Sequence, residues 1–202
     1  MPPSPTIWDQ AIVKLYDPVN EHTHKFYCEG NHNSNDQGVN CSRHQLYQKA
    51  LPFLKHKRNA IDVGCRWGEF TRYFTWTFNH VYCFDKFYKE FAMNISIEKK
   101  SVTHYSFYID THNKIDNFEY TDIDLIKVDT EPTDEFVLRG AENTIMKYRP
   151  VILIEDILYN NGTTNHNALR YLESINYEIG YELIETSKVK KYRNYVMVSK
   201  QQ

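Results

Sequence analysis

Acidic residues stand at the ends of five short apolar stretches, and this repeated placement is the first chemical pattern in the chain. They are Asp62, Asp85, Asp110, Asp129 and the pair Glu155 and Asp156. If the apolar stretches are parallel strands, their carboxyl ends meet at one sheet edge, where open α/β folds bind ligands. Each acid alone is as compatible with a turn as with a site. Together they predict an acidic edge that contacts ligand hydroxyls or a cation.

A pair of glycines follows the first of these acids, in a chain that has only seven glycines. The turn from Gly64 to Gly68 lets a ligand approach the backbone and directs helix N–H groups toward it. The spacing is neither that of a dinucleotide-binding loop nor that of a phosphate loop. Asp85, at the end of the next predicted strand, is placed to accept both hydroxyls of a ribose. Recognition of a nucleoside without phosphates indicates S-adenosylmethionine.

Alternating strands and helices position these residues in the predicted structure. We predict strands over 59–63, 80–84, 102–109, 123–128, 151–154, 177–185 and 192–199. We predict helices over 43–55, after Gly68, over 86–98, over 132–149 and after residue 166. The helix after Pro132 has a predicted buried stripe of Phe136, Val137, Gly140, Ala141, Thr144 and Ile145. The pattern is typical of a single-domain α/β, Rossmann-like fold: a mostly parallel seven-stranded sheet with helices on both faces and a C-terminal antiparallel hairpin.

Composition narrows the function classes. The net charge is −2, from 24 basic and 26 acidic residues, so no overall field attracts the chain to nucleic acid or to an anionic membrane. No apolar stretch approaches the ~20 residues that span a bilayer, and the first residues lack a signal-peptide core. The four cysteines are too few and scattered for a disulfide framework. We therefore expect a soluble cytoplasmic protein with no nucleic-acid partner and no membrane insertion.

Two blocks of sequence carry a family resemblance. The ten residues DVGCRWGEFT, Asp62 to Thr71, resemble the Asp-Val-Gly-Ala-Asn-x-Gly-x-x-Thr motif of FkbM-type S-adenosylmethionine-dependent methyltransferases. The longer block IDLIKVDTEPTDEFVLRGAENTI, Ile123 to Ile145, is similar to a second signature of that family. The stretch Ile115 to Phe118 and the proline-led strand from Pro150 to Glu155 also match, so the resemblance covers about residues 58–200. It implies a class I methyltransferase fold.

The resemblance also implies roles for particular residues. Asp62, Gly64, Cys65, Arg66 and Gly68 would form the cofactor loop. Asp85 would hold the ribose of S-adenosylmethionine, and Asp110 would reach its adenine amino group. Arg66 stands where the family has asparagine, and Pro132 replaces the glycine that follows Glu131 in the family motif. We expect the Arg66 guanidinium to point outward.

The acids after the fourth and fifth of these strands suggest a metal site. The resemblance extends to sugar-modifying methyltransferases that bind Mg²⁺ with an aspartate and an acidic pair at these two places. We therefore expect Asp129, Glu155 and Asp156 to bind Mg²⁺ or Mn²⁺, which favours carboxylate oxygens and can hold vicinal hydroxyls of a sugar. The alternative is that Glu155 and Asp156 bond the backbone and cap a loop. Asp129, Glu131 and His166 are candidates for taking the hydroxyl proton.

The N-terminal segment, residues 1–50, matches no motif of the family. We interpret it as a cap on the substrate side of a methyltransferase domain over 51–202. Its histidines and cysteines lack the paired spacing of a structural zinc site, so His22, His24 and His32 are instead candidate substrate contacts.

The sequence therefore predicts an O-methyltransferase whose acceptor is a hydroxyl, most favourably on a sugar of a glycan or glycoconjugate. Two alternatives stay open. One is methylation of a small phenolic or polyketide hydroxyl. The other is a non-catalytic module that binds S-adenosylmethionine, for which the changes at Arg66 and Pro132 are the evidence. No feature of the sequence indicates an oligomeric state.

Overall fold

The fold is described from a computed structural model, which covers residues 6–7, 42–66, 68–86, 101–110, 112–158, 166–186 and 191–201. Eight strands form one sheet: β1 Thr6–Ile7, β2 Asn59–Val63, β3 His80–Phe84, β4 Ser101–Tyr105, β5 Ile123–Val128, β6 Val151–Leu158, β7 Tyr177–Thr186 and β8 Lys191–Ser199. Their order across the sheet is β1-β4-β3-β2-β5-β6-β8-β7. The predicted seven strands are confirmed, and the two-residue β1 is an eighth.

The direction of the strands explains where ligands can bind. Strands β2 to β6 are mutually parallel, with β2 between β3 and β5, while β8 is antiparallel to both β6 and β7. The chain leaves β2 toward β3 on one side and later returns to β5 on the other. This reversal of strand order opens a crevice at the carboxyl ends of β2, β3 and β5. The predicted acidic edge lies there.

In the part of the chain that the structure describes, five helices accompany the sheet: α1 Ser42–Ala50, α2 Glu69–Thr77, α3 Asp134–Arg139, α4 Glu142–Tyr148 and α5 Asn167–Ser174. Single 3₁₀ turns lie at Leu51–Phe53 and Ile115–Asn117. Side chains of α1 and α2 pack on one face of the sheet, against residues such as Ala60, Leu125 and Leu153. Those of α3, α4 and α5 pack on the other face, against Ile61, Ile126 and Ile152. The prediction of helices on both faces is confirmed.

Several element boundaries differ from the prediction. The helix expected over 132–149 is two helices, because the backbone leaves the helical conformation at Ala141 (φ −111°, ψ 11°). Phe136 was assigned to the buried stripe of this segment, but it is 65% exposed. The first helix ends at Ala50, before the turn that contains Pro52. Strand β4 stops at Tyr105, so Asp110 does not follow it directly.

Some predictions fall on residues outside the described ranges. These are the body of the helix expected over 86–98, Trp67, the loop 159–165 and almost all of the N-terminal segment, including His22, His24 and His32.

Asp116, in the short motif that precedes β5, has a structural role. Its two carboxylate oxygens accept the backbone N–H groups of Asn143 and Thr144 at 2.8 and 2.9 Å, and Oδ1 also accepts the Thr144 hydroxyl at 2.7 Å. These contacts cap the N-terminus of α4 from a residue distant in sequence. The position of α4 is therefore fixed by the segment that leads into β5.

Within the residues that the structure describes, none of the helices combines the length and apolar character needed to traverse a bilayer.

Candidate active site

The loop after β2 is held against the end of β5. Gly64 has φ +73°, and a Cβ atom on it would lie 1.8 Å from the carbonyl oxygen of Asp129. The Gly64 N–H donates to Phe84 O at 2.9 Å, and the Asp129 N–H donates to Val63 O at 3.1 Å. Only glycine fits this backbone conformation and this close approach. Gly64 therefore joins the ends of β2, β3 and β5 into one compact edge.

The remainder of the loop leads into α2. Gly68 has φ +81° and donates its N–H to Cys65 O at 2.7 Å, after which α2 begins at Glu69. Cys65 is buried, and burial raises the pKa of its thiol, so it packs as a neutral side chain. Arg66 is exposed and has φ +45°. Its backbone N–H points toward Asp85.

Asp85, directly after β3, accepts a hydrogen bond from the cofactor loop. The Arg66 N–H donates to Asp85 Oδ2 at 2.9 Å, and the Asp85 side chain is buried. A buried carboxylate beside a glycine-containing loop suits the hydroxyl groups of a ribose, which donate hydrogen bonds to carboxylates. The geometry is therefore compatible with the role predicted for Asp85.

Asp110 has a different environment. It lies in the exposed loop after β4, and Oδ1 accepts the backbone N–H groups of His112 and Asn113, both at 2.7 Å. The hydrogen bond from Asn113, and then that from His112, lower the pKa of this carboxyl below its usual range. Asp110 thus closes a tight turn of its own loop. Contact with adenine stays a prediction.

Asp62 lies beneath the cofactor loop and is completely buried. Its Oδ2 accepts the Thr71 hydroxyl at 2.6 Å, and its Oδ1 is 3.3 Å from Nζ of Lys127. These contacts fix the first turn of α2 and the end of β5 to β2. Asp62 therefore supports the loop from below, and its contact with a cofactor stays a prediction.

Lys127 is the residue of this region that the sequence analysis missed. It is buried in β5, directly in register with Asp62 on β2. Burial alone would lower its pKa, but Asp62 and Asp129 raise it above the usual value, so the side chain is a cation. A lysine near the end of a mostly apolar strand, on the same face as an aspartate of the neighbouring strand, is the signal that could have revealed it.

Three carboxylates form a cluster where β5 ends beside the middle of β6. Asp129, Glu131 and Glu155 each offer an oxygen within 4.8 Å of the others. Asp129 and Glu155 are partly buried, and Glu131 is exposed. The cluster includes Asp129 and Glu155 from the predicted metal site, but its third member is Glu131. We refer to Asp129, Glu131 and Glu155 below as the acidic cluster.

Asp156 is separated from the acidic cluster by the alternation of side chains along β6. It lies on the face covered by α5, and its Oδ2 is 2.6 Å from Nδ1 of His166, the residue that precedes α5. Both atoms are shielded from solvent. The structure thus pairs one predicted metal ligand with one predicted catalytic residue.

Asp134 holds the loop that carries two members of the acidic cluster. Its Oδ1 accepts both the backbone N–H and the hydroxyl of Thr130, at 2.7 and 2.8 Å, and its side chain is buried. Thr130 lies between Asp129 and Glu131. The loop from β5 to α3 is therefore fixed by α3 as well as by β2.

Comparison with known proteins identifies the family of this chain. A family model described as the methyltransferase FkbM domain matches residues 8–179. The comparison with curated proteins gives no match. Among solved structures, M. capricolum TrmK in complex with S-adenosyl-homocysteine is 17% identical, with a TM-score of 0.55 over 77% of this chain and 68% of that one.

Two further structures have the same fold. The N-methyltransferase NodS from Bradyrhizobium japonicum WM9, also with S-adenosyl-homocysteine, is 13% identical, with a TM-score of 0.55 over 88% of this chain and 98% of its own. An rRNA methylase from Streptococcus thermophilus is 11% identical, with a TM-score of 0.55 over 77% of this chain and 95% of its own. At these identities the likeness shows a shared fold and no more. Since the family model spans most of the chain, the protein belongs to the FkbM family of S-adenosylmethionine-dependent methyltransferases.

Proposed function

We propose that the protein is an O-methyltransferase that methylates a hydroxyl of a sugar in a glycan or glycoconjugate. The observation that supports this most is the acidic cluster, which lies beside the glycine loop at the carboxyl edge of the sheet. Carboxylates at this place suit an acceptor with neighbouring hydroxyl groups. They do not suit a phosphate-rich acceptor such as nucleic acid, which would be repelled.

The cofactor is proposed to lie over the glycine loop, between the ends of β2 and β3. Asp85 would accept the ribose hydroxyls, the loop from Gly64 to Gly68 would border the methionine portion, and Asp110 would approach the adenine. S-adenosylmethionine supplies an electrophilic methyl group on a positively charged sulfur. Because Arg66 is exposed, its charge would lie away from that sulfur. The chain itself contributes orientation and exclusion of water.

The acidic cluster is proposed to hold a divalent cation, Mg²⁺ or Mn²⁺. The donor set fits, since hard divalent cations are bound by carboxylate oxygens from two or three side chains together with water and substrate oxygens. Such a cation would lower the pKa of a hydroxyl bound to it. Asp129 and Glu131 flank Thr130, whose bonds to Asp134 would keep both carboxylates in place.

His166 is proposed to accept the proton of the acceptor hydroxyl. Asp156, 2.6 Å from Nδ1, favours the form of the ring in which Nδ1 carries a proton. In that form Nε2 is the free acceptor and can act as a general base. Asp156 would therefore act through His166, in place of the metal-ligand role first expected for it.

The test is methyl transfer from isotopically labelled S-adenosylmethionine to a panel of mono- and oligosaccharides, with simple phenols and a short RNA as competing acceptors. We expect a methyl ether on a sugar, made in the presence of Mg²⁺ or Mn²⁺ and lost on addition of EDTA. Glu135→Gln, an exposed pair with Arg139 on α3, is a suitable control that should keep full activity. Labelling of RNA or a phenol alone would contradict the sugar acceptor. Binding of S-adenosyl-homocysteine without any transfer would favour the non-catalytic module.

A further inference from the structure

Lys127 contacts both halves of the site through a single atom. Its Nζ is 3.3 Å from Asp62 Oδ1 and 3.4 Å from Asp129 Oδ2. It also lies 2.9 Å from Gly64 O and 3.4 Å from Val63 O. Four oxygens, from β2, the cofactor loop and the residue that follows β5, thus surround one ammonium group.

The surroundings restrict how that group can be replaced. The side chain of Lys127 is 5% exposed and that of Asp62 is 0% exposed, so neither charge is satisfied by bulk water. The Nζ atom also lies 5.4 Å from the centre of the Phe70 ring, on the first turn of α2. An ammonium is compact and donates in three directions, whereas a guanidinium is planar and larger. The site fits a lysine and not an arginine.

The contacts determine where the loop and the acidic cluster lie. The carbonyls of Val63 and Gly64 accept from Lys127, so the backbone that opens the cofactor loop is held to β5. Asp129 is the first residue after β5, and its carboxylate is held by the same Nζ. A shift of the ammonium group would move the cofactor loop and the acidic cluster together.

We propose that Lys127 is a positioning residue that sets the cofactor loop and the Asp129 carboxylate in one fixed relation. The inference rests on the proposed placement of S-adenosylmethionine over this loop, and it does not depend on the identity of the acceptor. Lys127 acts through Asp62, Gly64 and Asp129 without touching the reacting atoms. Its removal weakens cofactor binding even when the domain stays folded.

The experiment must separate positioning from simple stability. Lys127→Met alone leaves the buried Asp62 carboxylate without its cation, which can unfold the domain. Lys127→Met is therefore also made in an Asp62→Asn background, where no buried negative charge remains beside it. S-adenosyl-homocysteine binding is measured by isothermal titration in the wild type, Asp62→Asn, the double variant and Lys127→Arg. Thermal unfolding is followed in parallel, and Lys57→Met, at an exposed lysine before β2, is the matched control.

We expect the double variant to bind S-adenosyl-homocysteine at least about tenfold more weakly than Asp62→Asn, with similar thermal stability, the size typical of a lost supporting contact. Lys127→Arg keeps the charge but should not restore the affinity. Equal affinity in Asp62→Asn and the double variant would overturn the proposal, as would full binding by Lys127→Arg. Failure of both Lys127→Met proteins to fold would assign the lysine to stability alone and also overturn it. No binding by the wild type would instead refute the placement of the cofactor, and this inference with it.

Discussion

Asp62 and Glu131 belong to loops and strands at the same edge of the sheet, yet one is completely buried and the other is exposed. Inside the protein, the Asp62 carboxylate accepts a hydrogen bond from the Thr71 hydroxyl and forms an ion pair with Lys127. Glu131 stands in the acidic cluster with Asp129 and Glu155, open to solvent. The edge therefore has a buried part, formed by Asp62, Lys127 and Gly64, and an open part, formed by the acidic cluster.

The difference separates two uses of a carboxylate. In the buried part a negative charge is stable only because a cation and a hydroxyl accompany it, so its function is to hold backbone segments together. In the open part three carboxylates approach one another, which is unfavourable unless a ligand or ion shares their charge. Substitutions in the buried part should reduce the stability of the fold or the affinity for the cofactor, and those in the open part should reduce activity.

The largest effect is expected from Gly64→Ala. The positive φ and a Cβ atom 1.8 Å from Asp129 O require the ends of β2 and β5 to separate. We expect a loss of about 4 kcal/mol in the free energy of unfolding, measured by urea titration. Gly140→Ala is the control, because Gly140 has an ordinary φ of −72° and a Cβ there would be 3.3 Å from its nearest neighbour. Similar losses for the two variants would contradict the close approach at Gly64.

Asp62→Ala should be nearly as damaging. It leaves the Lys127 ammonium buried with only the partly exposed Asp129 as a negative partner. Breaking such a pair costs roughly 3 kcal/mol of unfolding free energy, measurable by the same titration. Glu131→Gln, in the open part, should change stability by less than about 0.5 kcal/mol. A stable Asp62→Ala protein and an unstable Glu131→Gln protein would reverse the assignment of the two parts.

His166→Ala tests the proposed proton transfer through the activity of the protein. Removal of a general base lowers kcat about 100-fold, with little change in the affinity for S-adenosyl-homocysteine. Asp156→Asn should give a smaller loss of kcat, because the imidazole remains and only its orientation is weakened. Turnover is measured with the labelled cofactor and the best sugar acceptor. An active His166→Ala protein would remove histidine from the proton transfer.

The smallest effect per step is expected from a change of one pH unit, and it acts through a buried histidine next to the buried part. His104 on β4 continues the row of paired positions from Lys127 through Asp62 and Cys83. Burial lowers its pKa to about 4, although Asp85 opposes this. In the unfolded chain, His104 binds a proton near the ordinary histidine pKa of about 6.5. In the folded protein it stays neutral at that pH, so unfolding is favoured as protons become available. Stability contributed by neutral His104 is present above that pH and falls as the pH drops toward 4.

The slope of this fall should approach about 1.4 kcal/mol per pH unit, the value for one proton. Urea titrations at a series of pH values between these limits give the slope directly. In His104→Gln, the free energy of unfolding should depend less strongly on pH over the same interval. An identical slope in both proteins would exclude His104 as the source.

The sequence predicted the sheet well because apolar strands ending in acids have a clear pattern. It predicted α3 and α4 as one helix, since the irregular backbone at Ala141 arises from packing and not from local preference. In the site, Asp129 and Glu155 were predicted near each other from strand ends alone. The partner of Asp156 could not be predicted, because strand alternation and the position of His166 after the loop depend on three-dimensional contacts.

The role of Lys127 could not be predicted from the sequence either. Its place in the motif was visible in the sequence, but lysine is rarely buried without a partner. Only the register between β2 and β5 brings Asp62 beside it and explains its presence in a mostly apolar strand. Cross-strand pairing, more than residue type, therefore decides which of the charged residues are structural.

The most direct test of the open part is the titration of Mn²⁺ into the wild type, Glu131→Gln, Glu155→Gln and Asp156→Asn, followed by calorimetry. We expect a single site in the wild type, at least about tenfold weaker binding in the two glutamine variants, and unchanged binding in Asp156→Asn. Absence of binding by the wild type, or a loss confined to Asp156→Asn, would contradict the acidic cluster as the centre of the chemistry.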